Sequence, residues 1–149
     1  MKLRILLCAA IAVAWASSAS AQVRITRDVG GLIQNYVDRY QDMRASGERV
    51  LIDGPCLSAC TLVVGILPPD RVCVTKHALL GFHAAWEPTA NGKVLVPSET
   101  RRMLHIYPAA LRTWITRNGG LKAQMIFLHG RMLANLVRPC REVEVSQLR

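Results

Sequence analysis

The sequence predicts one α/β domain built on crossover connections, and three patterns carry that expectation. Val50-Leu51-Ile52 is apolar at every position, as a strand buried on both faces would be. An amphipathic helical repeat precedes it, and a stretch apolar almost all round follows it. Further short strand patterns come next, and the C-terminal part reads as helices.

The chain's first residues stand apart from that domain. Met1-Lys2-Leu3-Arg4 is basic, Ile5 to Ala16 is apolar, and Ser17-Ser18-Ala19-Ser20-Ala21 is small, the three parts of a secretory signal in order. The apolar run is about twelve residues where a spanning helix needs roughly twenty, so cleavage after Ala21 is expected rather than anchoring. The expected organisation is a signal peptide over 1–21 and a single domain over 22–149.

Within the domain, Val23-Arg24-Ile25 alternates as a short strand leading to Gly30-Gly31. Leu32, Ile33, Tyr36, Val37, Tyr40 and Met43 then recur at three- and four-residue spacing, giving a helix that ends near Ser46-Gly47. The buried strand Val50-Leu51-Ile52 stops at Asp53-Gly54-Pro55, and the apolar stretch from Ser58 predicts a helix inside the protein that Pro68-Pro69 ends. Arg71 to Thr75 and Leu79 to His83 read as strands, and Glu87 to Lys93 as a loop. Ser98 is expected to cap a helix through Tyr107, Pro108 to start another ending at Asn118-Gly119-Gly120, and Leu121 to about Val137 to form a third.

The formal charge is +9, of which Lys2 and Arg4 belong to the expected signal. The remaining arginines are scattered, and Arg101-Arg102 is the one adjacent pair, so the chain lacks the basic run of a nucleic-acid arm. A basic module for anionic surfaces or nucleic acid would rest on charge alone. Four cysteines follow the signal, Cys56, Cys60, Cys73 and Cys140, and an even number in an exported chain points to disulfides with three connectivities open. A metal site is the rival, but Cys56-x-x-x-Cys60 has no second close Cys or His pair, and no metal or other cofactor is expected.

Three places have the character of a hydrolytic site. Ser58 lies where a buried strand turns into a buried helix, a corner that presents a hydroxyl beside unpaired backbone N–H groups. Gly30-Gly31 allows close backbone approach ahead of a helix, and His83 ends a strand in Leu80-Gly81-Phe82-His83. Each has a plain alternative: serine is a good helix cap, a glycine pair makes turns, and a lone histidine packs in cores.

Taken together, Gly30-Gly31, the amphipathic helix, Val50-Leu51-Ile52-Asp53-Gly54-Pro55-Cys56-Leu57-Ser58-Ala59-Cys60, Arg71-Val72-Cys73 and Leu80-Gly81-Phe82-His83 resemble the core of the Clp protease proteolytic subunit, in the ClpP/crotonase superfamily. The Cys-Leu-Ser-Ala-Cys-Thr and Gly-Phe-His-Ala-Ala segments resemble exported bacterial ClpP-like proteins, and the likeness covers about residues 23–85. It implies a ClpP/crotonase-like α/β fold with crossover ββα units and a helical C-terminal part. It also implies a serine-type peptidase or hydrolase in the periplasm or outside the cell, with Ser58 as nucleophile, His83 as general base, and the backbone N–H groups of Gly31 and Ala59 as oxyanion hole.

The partners so implied are a peptide or small acyl substrate and further copies of the chain in a homo-oligomer, with no nucleic acid and no membrane segment after signal removal. In the family an aspartate downstream orients the histidine, whereas the last aspartate here is Asp70; Glu87, Glu99, Asn118 and Asn135 are the remaining candidates. The other function class the sequence allows is a non-catalytic binding or assembly module of the same fold, in which Ser58 caps a helix and His83 is structural.

Overall fold

The computed structural model describes residues 21–146, so the secretory-signal expectation lies outside the described residues except for its last position, Ala21. From there the chain forms β1 (Gln22–Ile25), α1 (Ile33–Ser46) and β2 (Arg49–Ile52), as the periodicity predicts. α1 buries Val37, Tyr40 and Met43 on one face, and Gly47 ends it in the left-handed conformation that glycine adopts at little cost.

A short strand that the sequence reading passes over, β3 (Pro55–Leu57), comes next, followed by a 3₁₀ turn over Ser58–Leu62 and α2 (Val63–Ile66). Three residues beside turn-forming Asp53-Gly54 are too few to show periodicity, and only pairing with neighbours makes β3 a strand. The Ser58–Ile66 stretch is almost wholly buried, as its all-round apolar character requires. β4 (Val72–Val74) and β5 (Leu79–Phe82) complete the expected strands.

β6 (Trp86–Thr89) and β7 (Gly92–Leu95) form an antiparallel hairpin where a loop over Glu87 to Lys93 is expected. Pro88 and the polar Asn91-Gly92 mask strands that lie exposed, where an edge tolerates proline. Lys93 Nζ sits 3.9 Å from the Trp86 ring centroid and ties the two strands together. α3 (Pro97–Ile106) starts at Pro97, so Ser98 lies inside it and makes no cap. α4 (Ala109–Arg117) follows Pro108 as expected.

The helix expected over Leu121 to Val137 is instead β8 (Ile126–His129) and α5 (Gly130–Leu136). β8 pairs antiparallel with β5, and that ladder outweighs the helical spacing of its apolar residues. A last short helix, α6 (Glu142–Ser146), ends the described chain.

β1, β2 and β4 form one parallel sheet with β2 in the middle, so Val50, Leu51 and Ile52 are nearly or fully excluded from water. β3, β5 and β8 form a second sheet, with β3 parallel to β5. α1 and the Ser58–Ile66 stretch pack on each other, and Tyr40, Leu62, Leu80, Phe82, Tyr107 and Leu111 lie in the one core. Phe82 meets Tyr107 edge-on with centroids 5.4 Å apart.

The cysteines pair as Cys56–Cys60 and Cys73–Cys140, with Cα atoms 5.3 Å and 4.8 Å apart. Chain entropy makes these bonds unequal. Closing the loop between residues 67 apart contributes about 4 kcal/mol, against about 2 kcal/mol for residues 4 apart. Cys73–Cys140 is therefore the staple of the fold: it fastens the C-terminal segment beside β4, where Val74 N donates to Arg138 O at 2.9 Å and Cys140 N to Val74 O at 3.0 Å.

Glu144 fixes the same segment, accepting hydrogen bonds from the Arg138 guanidinium at 2.8 and 2.9 Å and from Arg141 N at 2.8 Å. The Arg138 bonds hold its carboxyl at about 2, down from an ordinary 4.5. A lowered folded-state pKa gives stability that is whole above pH 4.5 and is lost as pH falls towards 2. Thermal unfolding of Glu144→Gln beside the wild type should therefore show a gap in Tm at neutral pH that closes across that window; a gap independent of pH would contradict this role.

Candidate active site

Three chain segments run side by side in one direction and end together. Asp28 N donates to Pro55 O and Leu57 N to Asp28 O, each at 2.8 Å, which lays the Asp28 segment parallel to β3. β3 is parallel to β5, with Leu57 opposite Gly81. Just beyond the C-terminal ends of the three come Gly30-Gly31, Ser58 and His83 respectively. Adjacent strands lie about 4.8 Å apart, so parallel pairing alone gathers these residues at one edge. All four line a single open cavity of about 800 Å³, and Ser58 and His83 are each only partly buried.

Ser58 has φ 56°, the only positive φ at a non-glycine position among the described residues. A side chain in that region costs on the order of 1–3 kcal/mol and persists only where its surroundings over-determine it. Several contacts do so here. Thr61 Oγ1 donates to Ser58 O at 2.6 Å, and since its one hydrogen is then used, the Tyr107 hydroxyl 2.6 Å away donates to it in turn. Burial pushes the Tyr107 phenol pKa up and keeps that donor protonated. Tyr40 Oη donates to Cys60 O at 3.0 Å, and Cys56–Cys60 bridges the two sides of the corner.

Gly30 closes against this corner from the other side. A Cβ placed there would lie 2.6 Å from Ser58 Cβ and 2.7 Å from Leu57 O, and its φ is 81°, so only glycine fits on both counts. Asp28 Oδ1 shapes the same loop by accepting from Gly30 N at 2.8 Å and from the Tyr36 hydroxyl at 2.6 Å. Burial, and after it this bond to Asp28, pushes Tyr36 up to about 12. The amides of Gly31 and Ala59 donate to no protein acceptor among the described residues. Ala59 is in the first turn after the corner, where a helix leaves its N–H groups unpaired.

His83 Nδ1 lies 2.6 Å from Ala84 O. A carbonyl only accepts, so Nδ1 carries the hydrogen and Nε2 of the neutral ring is left with its lone pair. No hydrogen bond joins His83 to Ser58 Oγ among the described residues; what they share is the cavity. Of the four candidates for an orienting group, Glu87 and Glu99 line that cavity. Asn118 instead donates from Nδ2 to Trp114 O at 2.8 Å, and Asn135 is exposed on α5.

Leu32, Trp86, Pro88 and Met103 make the cavity largely apolar. Its charged rim is Glu87, Glu99 and Arg102, and Arg102 donates to Gln34 Oε1 at 2.6 Å and to Glu99 Oε2 at 3.4 Å, bridging α1 and α3. Among the described residues no group of three or more His, Cys, Asp or Glu is placed to hold a metal ion, and no helix is long and apolar enough to cross a membrane.

Sequence reasoning passes over Asp28, Thr61, Tyr107 and the Ala84 carbonyl. Asp28 had a local signal, because an aspartate two residues before a glycine is the pattern of an Asx turn. Thr61, three residues after Ser58, could be read the same way, as a hydroxyl reaching back one turn. Tyr107 had none, since its partner is 46 residues away.

Two substitutions test the corner. Ser58→Gly should be more stable than Ser58→Ala by about 1 kcal/mol in denaturant unfolding, because glycine relieves the positive φ; equal stabilities would mean the serine is unstrained. Gly30→Ala should lose about 2 kcal/mol or more, through the left-handed backbone and the clash with Leu57 O.

No protein-family model matches the chain, and no curated protein is significantly similar to it. Among solved structures it is similar to one described only as an enzyme, with a TM-score of 0.54 and 6% identity over 84% of this chain and 81% of that one. It is also similar to a peptidase from Plasmodium falciparum, with a TM-score of 0.53 and 5% identity over 84% and 80%. A ClpP1 mutant from Listeria monocytogenes aligns with a TM-score of 0.49 and 11% identity over 85% and 78%. At such identities the likeness is one of fold alone, a mixed α/β architecture of the class that the sequence predicts.

Proposed function

We propose that the chain is a serine-type hydrolase acting on peptides or small acyl substrates, with Ser58 as nucleophile and His83 as general base. The observation that carries this reading is the convergence of Ser58, His83 and the Gly30-Gly31 amides on one cavity, with Ser58 held at φ 56°. In the reaction, His83 Nε2 takes the proton of Ser58 Oγ as the oxygen attacks the substrate carbonyl. Gly31 and Ala59 N–H donate to the oxyanion, each bond worth about 10²–10³ in rate. The imidazolium returns its proton to the leaving amine or alcohol, an ester to Ser58 remains, and water attacks it by the same route in reverse.

The Ala84 carbonyl takes the orienting place that an aspartate holds in the resembled family. It fixes the tautomer of His83 but carries no full charge to stabilise the imidazolium, so a slower enzyme is expected. The apolar cavity wall suits substrates with apolar side chains next to the scissile bond. Two disulfides support a site of action in the periplasm or outside the cell, where such bonds persist. Exposed Phe127 and Met132 on β8 and α5 suit contact with a further copy of the chain.

A second reading, a binding or assembly module of the same fold, is favoured by the lack of a Ser58–His83 hydrogen bond among the described residues. One experiment separates the two. A fluorophosphonate probe should label the wild type and leave Ser58→Ala unlabelled, with His83→Ala slowed by about 10²–10⁴. A folded wild type that takes no label supports the module instead.

A further inference from the structure

We propose that the Cys56–Cys60 disulfide is a positioning element of the Ser58 site, holding the serine that lines the cavity and the Ala59 amide next to it in one fixed geometry. The proposal rests on the hydrolase reading and adds to it a condition: the nucleophile is competent only while this pair is bonded.

The bond closes a ring of chain with Leu57, Ser58 and Ala59 inside it. Cys56 is held in β3, paired with Leu80 of β5 and bridged to Asp28, and Leu57 is still in that strand opposite Gly81. Had the chain continued extended, Cys60 would lie about 13 Å from Cys56 at the usual strand rise. The Cα atoms are in fact 5.3 Å apart. Since Cys56 and Leu57 are fixed by the sheet, the reversal has to be made at Ser58 and Ala59. The positive φ falls at Ser58, the first residue free to make the turn.

The bond's place in the molecule favours this role over that of a staple. Its short ring makes it the weaker of the two disulfides in restraining the unfolded chain, whereas Cys73–Cys140 secures the C-terminal segment. Cys56 and Cys60 are both wholly buried, and Cys60 O accepts the Tyr40 hydroxyl, so the far side of the ring is anchored in the core. Freed of the bond, Ser58 and Ala59 keep the Thr61 contact but lose the restraint that forces the turn between them.

The test compares fluorophosphonate labelling of the wild type, Cys56→Ala/Cys60→Ala and Cys73→Ala/Cys140→Ala, each well below its own unfolding temperature. The first double variant should keep a cooperative unfolding transition and label at least 10-fold more slowly at saturating probe, with the half-saturating probe concentration little changed. The second should lose more stability yet label at the wild-type rate. If the first variant does not fold, wild-type protein is partly reduced with dithiothreitol, which is oxidised to its cyclic disulfide as each protein disulfide becomes two thiols. Alkylation and mass spectrometry then identify which pair has opened in the labelled molecules. Label confined to molecules with Cys56–Cys60 closed supports the proposal. Label at the wild-type rate in Cys56→Ala/Cys60→Ala, or in molecules alkylated at Cys56 and Cys60, overturns it and leaves the hydrolase reading standing. A wild type that takes no label removes the hydrolase reading itself.

Discussion

The site depends on the sharp turn that the chain makes on leaving β3. Up to Leu57 the backbone is committed to the sheet, and from Cys60 onward it is committed to a buried helical stretch packed on α1. Ser58 and Ala59 are what remains to connect two rigid elements that meet at a steep angle. A left-handed residue makes that connection, and its cost of on the order of 1–3 kcal/mol falls on Ser58, which lines the cavity. A glycine there would be more comfortable and would have no hydroxyl. A serine kept in a conformation suited to glycine is what the proposed hydrolase role requires, since there the side chain matters more than local stability.

The surroundings offset that strain with contacts from distant parts of the chain. Tyr107 lies at the end of α3 and reaches Ser58 O through Thr61; Tyr40 on α1 reaches Cys60 O. The Asp28 segment, pinned to β3, brings Gly30 against the corner with no room for a side chain. The corner is thus shaped by the same packing that makes the core, and its geometry is inherited from the parallel pairing of the Asp28 segment, β3 and β5. His83 needs no special loop, since it is simply the next residue after β5.

Much of this was legible because it is local. Helix α1 shows its spacing, β2 shows unbroken apolarity, and the Ser58–Ile66 stretch shows apolarity all round, so each is specified by its own residues. Ser58, Gly30-Gly31 and His83 stand at element ends that those patterns locate, and all of them line one cavity. What was not legible depends on partners far along the chain. β3 is too short to declare itself, β8 has helix-like spacing but is claimed by the edge of β5, and the β6–β7 hairpin hides behind Pro88 and Asn91-Gly92. The disulfide pairing likewise follows from where β4 meets the C-terminal segment, which no cysteine spacing encodes.

The central proposal is that the amides of Gly31 and Ala59 donate to the oxyanion that forms when Ser58 attacks. A crystal structure of the fluorophosphonate adduct tests it most directly, because the phosphoryl oxygen occupies the oxyanion's position. The account predicts phosphorus bonded to Ser58 Oγ and its oxygen about 2.7–3.1 Å from both amide nitrogens. An adduct on another residue, or an oxygen turned away from both amides towards solvent, would contradict it.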